Sequence, residues 1–125
     1  MKMTTKVSCV AALLLATGAM AAEAAQVRIK CEVRGDRSVV SVDGRNLAPG
    51  MYSATITSGS NTASAPVGPT IGDEIEFDFA SNQNDIAQGA SAIARNFIQG
   101  ATVSGKISTP DGFVVVNDTV ACRAR

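Results

Sequence analysis

Residues 46–58 read Asn-Leu-Ala-Pro-Gly-Met-Tyr-Ser-Ala-Thr-Ile-Thr-Ser. Pro49-Gly50 predicts a tight turn, because proline presets its φ and glycine accepts a positive one. Polarity then alternates, with Tyr52, Ala54 and Ile56 on one side and Ser53, Thr55 and Thr57 on the other. A period of two predicts a half-buried antiparallel strand. The same rule places strands over 27–34, 39–42, 62–65, 74–79, 102–108, 113–116 and 119–123. Turns are expected at Gly35-Asp36-Arg37-Ser38, at Asp43-Gly44, at Ser58-Gly59-Ser60-Asn61 and at Thr109-Pro110-Asp111-Gly112. Pro66 and Pro69 should end the short edge strand before them. At Asn117-Asp118 the apolar phase is ambiguous, which predicts a bulge.

The segment 81–99 departs from this alternation. Ile86, Ala90, Ile93 and Phe97 recur at helical spacing, joined by Ala87, Ala94 and Ile98. Asn82, Asn84 or Asp85 supplies a start signal and Gly100 a stop, while Gly89 weakens the middle. The expected architecture is therefore all-β and mainly antiparallel: a two-sheet sandwich of about seven strands with a short helical crossover near 85–98.

The first residues change the picture of where this domain resides. Lys2 and Lys6 precede an apolar run over 7–16, and Ala19-Met20-Ala21 fits the small-x-small cleavage pattern. That run is too short to span a bilayer, so 1–21 is expected to be a signal peptide and 22–125 one exported domain, periplasmic or extracellular, with no stable membrane insertion after cleavage. A second cleavage pattern ends at Ala24. Without Lys2 and Lys6, nine basic residues face eleven acidic ones, a net charge of −2 that offers no footprint for nucleic acid or an anionic membrane.

Cys9 falls within the leader, which leaves Cys31 and Cys122. Both sit in phase with the apolar side of their strands, Val27-Ile29-Cys31-Val33 and Val120-Cys122-Ala124, so both sulfurs should face inward and form one disulfide. A close cysteine pair or a histidine would be needed for a redox or zinc site, and the chain has no histidine.

The stretch Asn46-Leu47-Ala48-Pro49-Gly50-Met51-Tyr52-Ser53-Ala54-Thr55-Ile56 resembles the turn-and-strand signature of small extracellular sandwich modules. Transthyretin-like, carboxypeptidase-regulatory-like and other immunoglobulin-like accessory domains show it. The resemblance covers about a tenth of the chain and implies an immunoglobulin-like sandwich serving as a spacer, stabiliser or binding surface; it implies no site.

Candidate chemistry is sparse. The absence of histidine excludes Ser-His-Asp and Cys-His relays. No serine stands in a Gly-x-Ser-x-Gly elbow, and Ser104 with Lys106 lacks an evident oxyanion hole. Asp73, Glu74, Glu76 and Asp78 form an acidic stripe, read either as a weak calcium site assisted by Asn82 or Asp85, or as a solvated face opposite Arg28, Lys30 and Arg34. The stripe is expected to be solvated, because alternate strand residues lie too far apart to wrap one ion. Arg34-Gly35-Asp36 and the sequon Asn117-Asp118-Thr119 are short matches that a polar turn and strand also explain. No enzyme and no cofactor are expected. The expected role is an exported accessory, structural or binding domain; the alternative is a small secreted inhibitor of an envelope hydrolase, presenting a rigid loop at 35–38 or 58–61. A protein partner or a second copy would dock on Ile86, Ile93 and Phe97 if their side of the predicted helix is exposed; otherwise that side caps the core.

Overall fold

The computed structural model describes residues 24–125. The expected leader lies outside the described residues. Ten strands and one short helix follow in order: β1 Gln26–Arg34, β2 Arg37–Arg45, β3 Met51–Ser58, β4 Asn61–Ser64, β5 Gly68–Pro69, β6 Ile75–Ala80, α1 Gln83–Ala87, β7 Ser91–Ala92, β8 Thr102–Ser108, β9 Val114–Ala121 and β10 Arg123–Ala124. They make two mostly antiparallel sheets. The first has the order β10-β1-β2-β6-β7; the second has the order β4-β3-β8-β9, with β5 also paired to β3.

The sheets face each other through the residues that alternation turns inward. Ile29, Cys31, Val40, Val42, Phe77 and Phe79 of the first meet Tyr52, Ala54, Ile56, Val103 and Ile107 of the second in one buried cluster. Two glycines let the sheets approach. A Cβ on Gly44 would lie 2.6 Å from Ile107 Cδ1, and one on Gly105 would lie 2.9 Å from Ile29 Cδ1. This is why Asp43-Gly44 is not the expected hairpin turn: Gly44 is buried inside a nine-residue β2, paired with Ile75 across the sheet. The left-handed residue of the following loop is Asn46, at φ 57°, rather than Gly50. The tight hairpins are two-residue turns at Gly35-Asp36 and Gly59-Ser60, each led by a glycine of positive φ.

The predicted helix over 85–98 is replaced by three pieces. α1 has five residues, Gly89 breaks it at φ 111°, and Ser91–Ala92 then pairs in parallel with Phe79 and Ala80. A backbone turn from Ala94 to Phe97 follows. The strand count rises from about seven to ten through β5, β7 and β10, two-residue strands too short for alternation to predict. Asn117-Asp118 is not bulged; β9 runs straight through it, and the extra residue is Val115, between the pairs Ile107↔Val116 and Ser108↔Val114.

At its end the chain changes sheets. Cys122 N–H donates to Ala101 O at 2.8 Å on the second sheet, and Arg123–Ala124 pairs in parallel with Glu32 and Val33 of the first. The expected Cys31–Cys122 disulfide sits at this crossing, its Cα atoms 4.6 Å apart and 91 residues separated in sequence. No helix among the described residues is long and apolar enough to cross a membrane.

Candidate functional site

The three residues expected to form a docking side do not share one element. Ile86 is half-buried in α1, Ile93 is half-buried just beyond β7, and Phe97 is only 4% exposed within the core cluster. Ile93 N–H donates to Ala80 O at 3.0 Å, and Phe97 O accepts from the Asn61 amide at 2.8 Å, so sheet pairing and a side-chain tie carry this segment down onto the core.

Buried hydroxyls bind the connections to the sheets. Ser58 Oγ accepts from Gln99 N–H at 2.7 Å and reaches Thr102 O at 2.7 Å, while Ser38 Oγ donates to Arg95 O at 2.8 Å. Ser104 Oγ and Thr119 Oγ1 are 2.7 Å apart on the outer face of the second sheet, which engages the serine of the Ser104–Lys106 pair and the threonine of the sequon. Asp36 of Arg34-Gly35-Asp36 is held by Arg95 at 3.0 Å.

The acidic stripe lies on the outer face of β6, but its neighbours differ from those expected. β2 stands between β6 and β1, so Glu76 is opposite Asp43, and Asp78 is opposite Ser41. Arg28 is opposite Asp43, and Lys30 is opposite Ser41, one strand farther away. The Glu76 carboxyl is raised above its ordinary pKa, first by a hydrogen bond to Asp78 and by that group's charge, then by burial and by Asp43, with Lys30 pulling the other way. No group of three acidic, histidine or cysteine side chains among the described residues is arranged to hold a metal ion.

Two clefts flank this stripe. One of about 390 Å³ is lined by Arg28, Asp43, Arg45, Ile71, Glu74 and Glu76. The other, of about 320 Å³, runs along the free side of β6, between Ile75–Asp78 and the segment holding Ala65, Pro66 and Pro69. Sequence reasoning missed this second groove, because β7 and β5 are two-residue strands too short for periodicity to reveal. The one available signal was Pro66 and Pro69, which mark an interrupted edge.

The exposed apolar side chains lie mostly elsewhere. Met51 opens β3, Val67 precedes β5, and Phe113, 68% exposed, precedes Val114 at the start of β9, while Ile71 is exposed at the wall of the first cleft. No protein-family model matches the chain, and no curated protein matches it.

Proposed function

We propose that the protein is an exported, non-catalytic binding or structural module of the bacterial envelope or secretome, an immunoglobulin-like sandwich in general plan. The observation that carries this reading is the Cys31–Cys122 bond at the point where the chain passes from one sheet to the other. A disulfide that closes a 91-residue separation suits an oxidising compartment and yields a rigid body. Such a body displays edges and faces to other molecules without moving. The use of polar groups supports the same reading, since Ser38, Ser58, Ser104 and Thr119 are engaged in bonds that hold the fold.

The inhibitor alternative calls for a projecting rigid loop. Gly35-Asp36 and Gly59-Ser60 are two-residue turns flush with their hairpins, which favours the binding module. The test exposes the immobilised, oxidised protein to envelope extract and assays it in parallel on peptide, ester, glycoside and phosphate-ester substrates. Stoichiometric retention of a defined partner, with no turnover, is expected. Turnover that survives repurification and disappears in a point variant contradicts the reading.

A further inference from the structure

The free side of β6 is a sheet edge left open between two stops. Ser81 N–H donates to Ser38 O on the β2 side, and Ile93 N–H donates to Ala80 O on the opposite side, both at 3.0 Å. Antiparallel alternation therefore aims the backbone of Ile75, Phe77 and Phe79 at β2, and that of Glu74, Glu76, Asp78 and Ala80 outward. β7 takes up the outward side at Phe79 and Ala80. Ile71 takes up Glu74 through reciprocal backbone bonds of 2.8 and 3.2 Å. Between these stops, no backbone partner among the described residues meets the N–H and C=O of Glu76 or the N–H of Asp78.

The groove of about 320 Å³ lies along this window. Its far wall includes Ala65, Pro66 and Pro69, and the prolines bring no N–H to compete for an incoming strand. Charge on sheet edges commonly prevents pairing. On the edge strand itself the charge is of one sign, Glu74, Glu76 and Asp78, with Asp43 beside Glu76 and the cations Arg28 and Lys30 one strand farther in. The crowding already raises the Glu76 carboxyl, so a neighbouring cation would relieve it. An edge of that kind repels another acidic strand and admits a basic one.

We propose that Ile75–Asp78 is a strand-addition site for an extended protein segment in which Lys or Arg alternates with small apolar residues. Main-chain bonds form to Glu76 and Asp78. The basic side chains lie over the two carboxylates on the outer face, and the alternate apolar ones enter the groove against Ala65 and Pro66. The window accepts about four residues, since strands rise about 3.3 Å per residue. This assignment rests on the binding-module reading and gives it a partner class.

The test titrates the isotope-labelled, oxidised protein with Ac-Val-Lys-Val-Lys-Val-NH2, with the same peptide carrying Glu for Lys, and with the lysine peptide N-methylated on the backbone of both lysines and the central valine, which removes the edge-facing N–H groups in either strand direction. The expected result is saturable shifts centred on the Glu76 and Asp78 amides with the lysine peptide, weakening as salt rises. At least tenfold weaker binding is expected for the glutamate and N-methylated peptides. Glu76→Pro removes an outward N–H while leaving the β2 ladder intact, and should abolish binding. Should that variant fail to fold, Asp78→Lys, at an exposed side chain, is expected to weaken the lysine peptide at least tenfold. Equal affinity for the lysine and glutamate peptides, shifts centred elsewhere, no saturable binding at millimolar peptide, or an Asp78→Lys variant that binds normally overturns the proposal. A partner captured by the whole protein while the peptides leave Glu76 unmoved overturns the edge assignment alone and leaves the binding-module reading standing.

Discussion

Ser58 shows how much of this fold depends on single polar atoms. It is buried at the end of β3, and its hydroxyl serves the backbone of both Gln99 and Thr102. Ser58→Ala leaves those part-buried backbone groups without this partner, and urea denaturation should show a loss of about 1–3 kcal/mol. A larger apolar residue such as valine would do no better, because it restores no hydrogen bond. Glu76 acts in the opposite sense. Its carboxyl, bonded to and repelled by Asp78, holds its proton more tightly in the fold than in the unfolded chain. Its contribution to stability is therefore greatest below the ordinary carboxylate range and declines as pH rises through that range toward the raised folded value. Glu76→Gln removes the charge and keeps a hydrogen-bonding head group. Thermal melts across weakly acidic to neutral pH should show a flatter decline and a higher midpoint at neutral pH than the parent; a variant less stable at neutral pH would contradict this. Residue-level chemistry was the least legible from sequence. Asp43-Gly44 carries a strong turn signal, yet what decides its conformation is the Ile107 side chain 2.6 Å from where a Cβ would sit, a contact made across the two sheets.

At the scale of elements, the period-two rule worked wherever one face is buried and one is wet. β1, β3, β6 and β8 lie within a residue or two of their expected bounds, because their alternation matches the buried-exposed pattern of the sheets. The rule failed over 81–99 for an identifiable reason. Ile86, Ala90, Ile93 and Phe97 do recur at helical spacing, but Gly89 takes a left-handed φ and Ser91–Ala92 finds hydrogen bonds on β6. Tertiary pairing overrode a local pattern already weakened by glycine. The apolar side chains then reach the core as parts of a folded connection, and no continuous helix presents them. Phe97 is the anchor of that connection. Phe97→Ala should destabilise by about 3–5 kcal/mol in chemical denaturation. Phe97→Asp, which buries a charge in the same place, should leave no cooperative transition. A variant that melts like the parent would contradict the packing described for 94–98.

On the scale of the whole molecule, the C-terminal strand is the clasp. β9 belongs to the second sheet and β10 to the first, and the Cys31–Cys122 bond ties β1 to the residue where the chain crosses between them. The cysteine pairing was legible because Cys31 keeps the inward phase of β1 and Cys122, just past β9, continues the phase of Val120. The sheet change was not, since alternation specifies which side a residue faces and says nothing about which neighbour it meets. Replacing both cysteines by serine should lower stability by about 4–5 kcal/mol, the chain-entropy value for a loop of this length. Arg125, whose N–H reaches Val33 O at 2.8 Å and whose side chain pairs with Glu32 at 3.3 Å, should then exchange faster with solvent.

The proposed strand-addition site requires that one stretch of the β6 edge stand open in the clasped, two-sheet body. Residue-resolved amide hydrogen exchange on the oxidised protein alone tests this most directly. The expected result is an alternating pattern along one strand: slow exchange at Phe77 and Phe79, whose N–H groups face β2, and exchange faster by orders of magnitude at Glu76 and Asp78, whose N–H groups face the groove. Protection at Glu76 and Asp78 equal to that at Phe77 would mean the edge is already covered, and would contradict it.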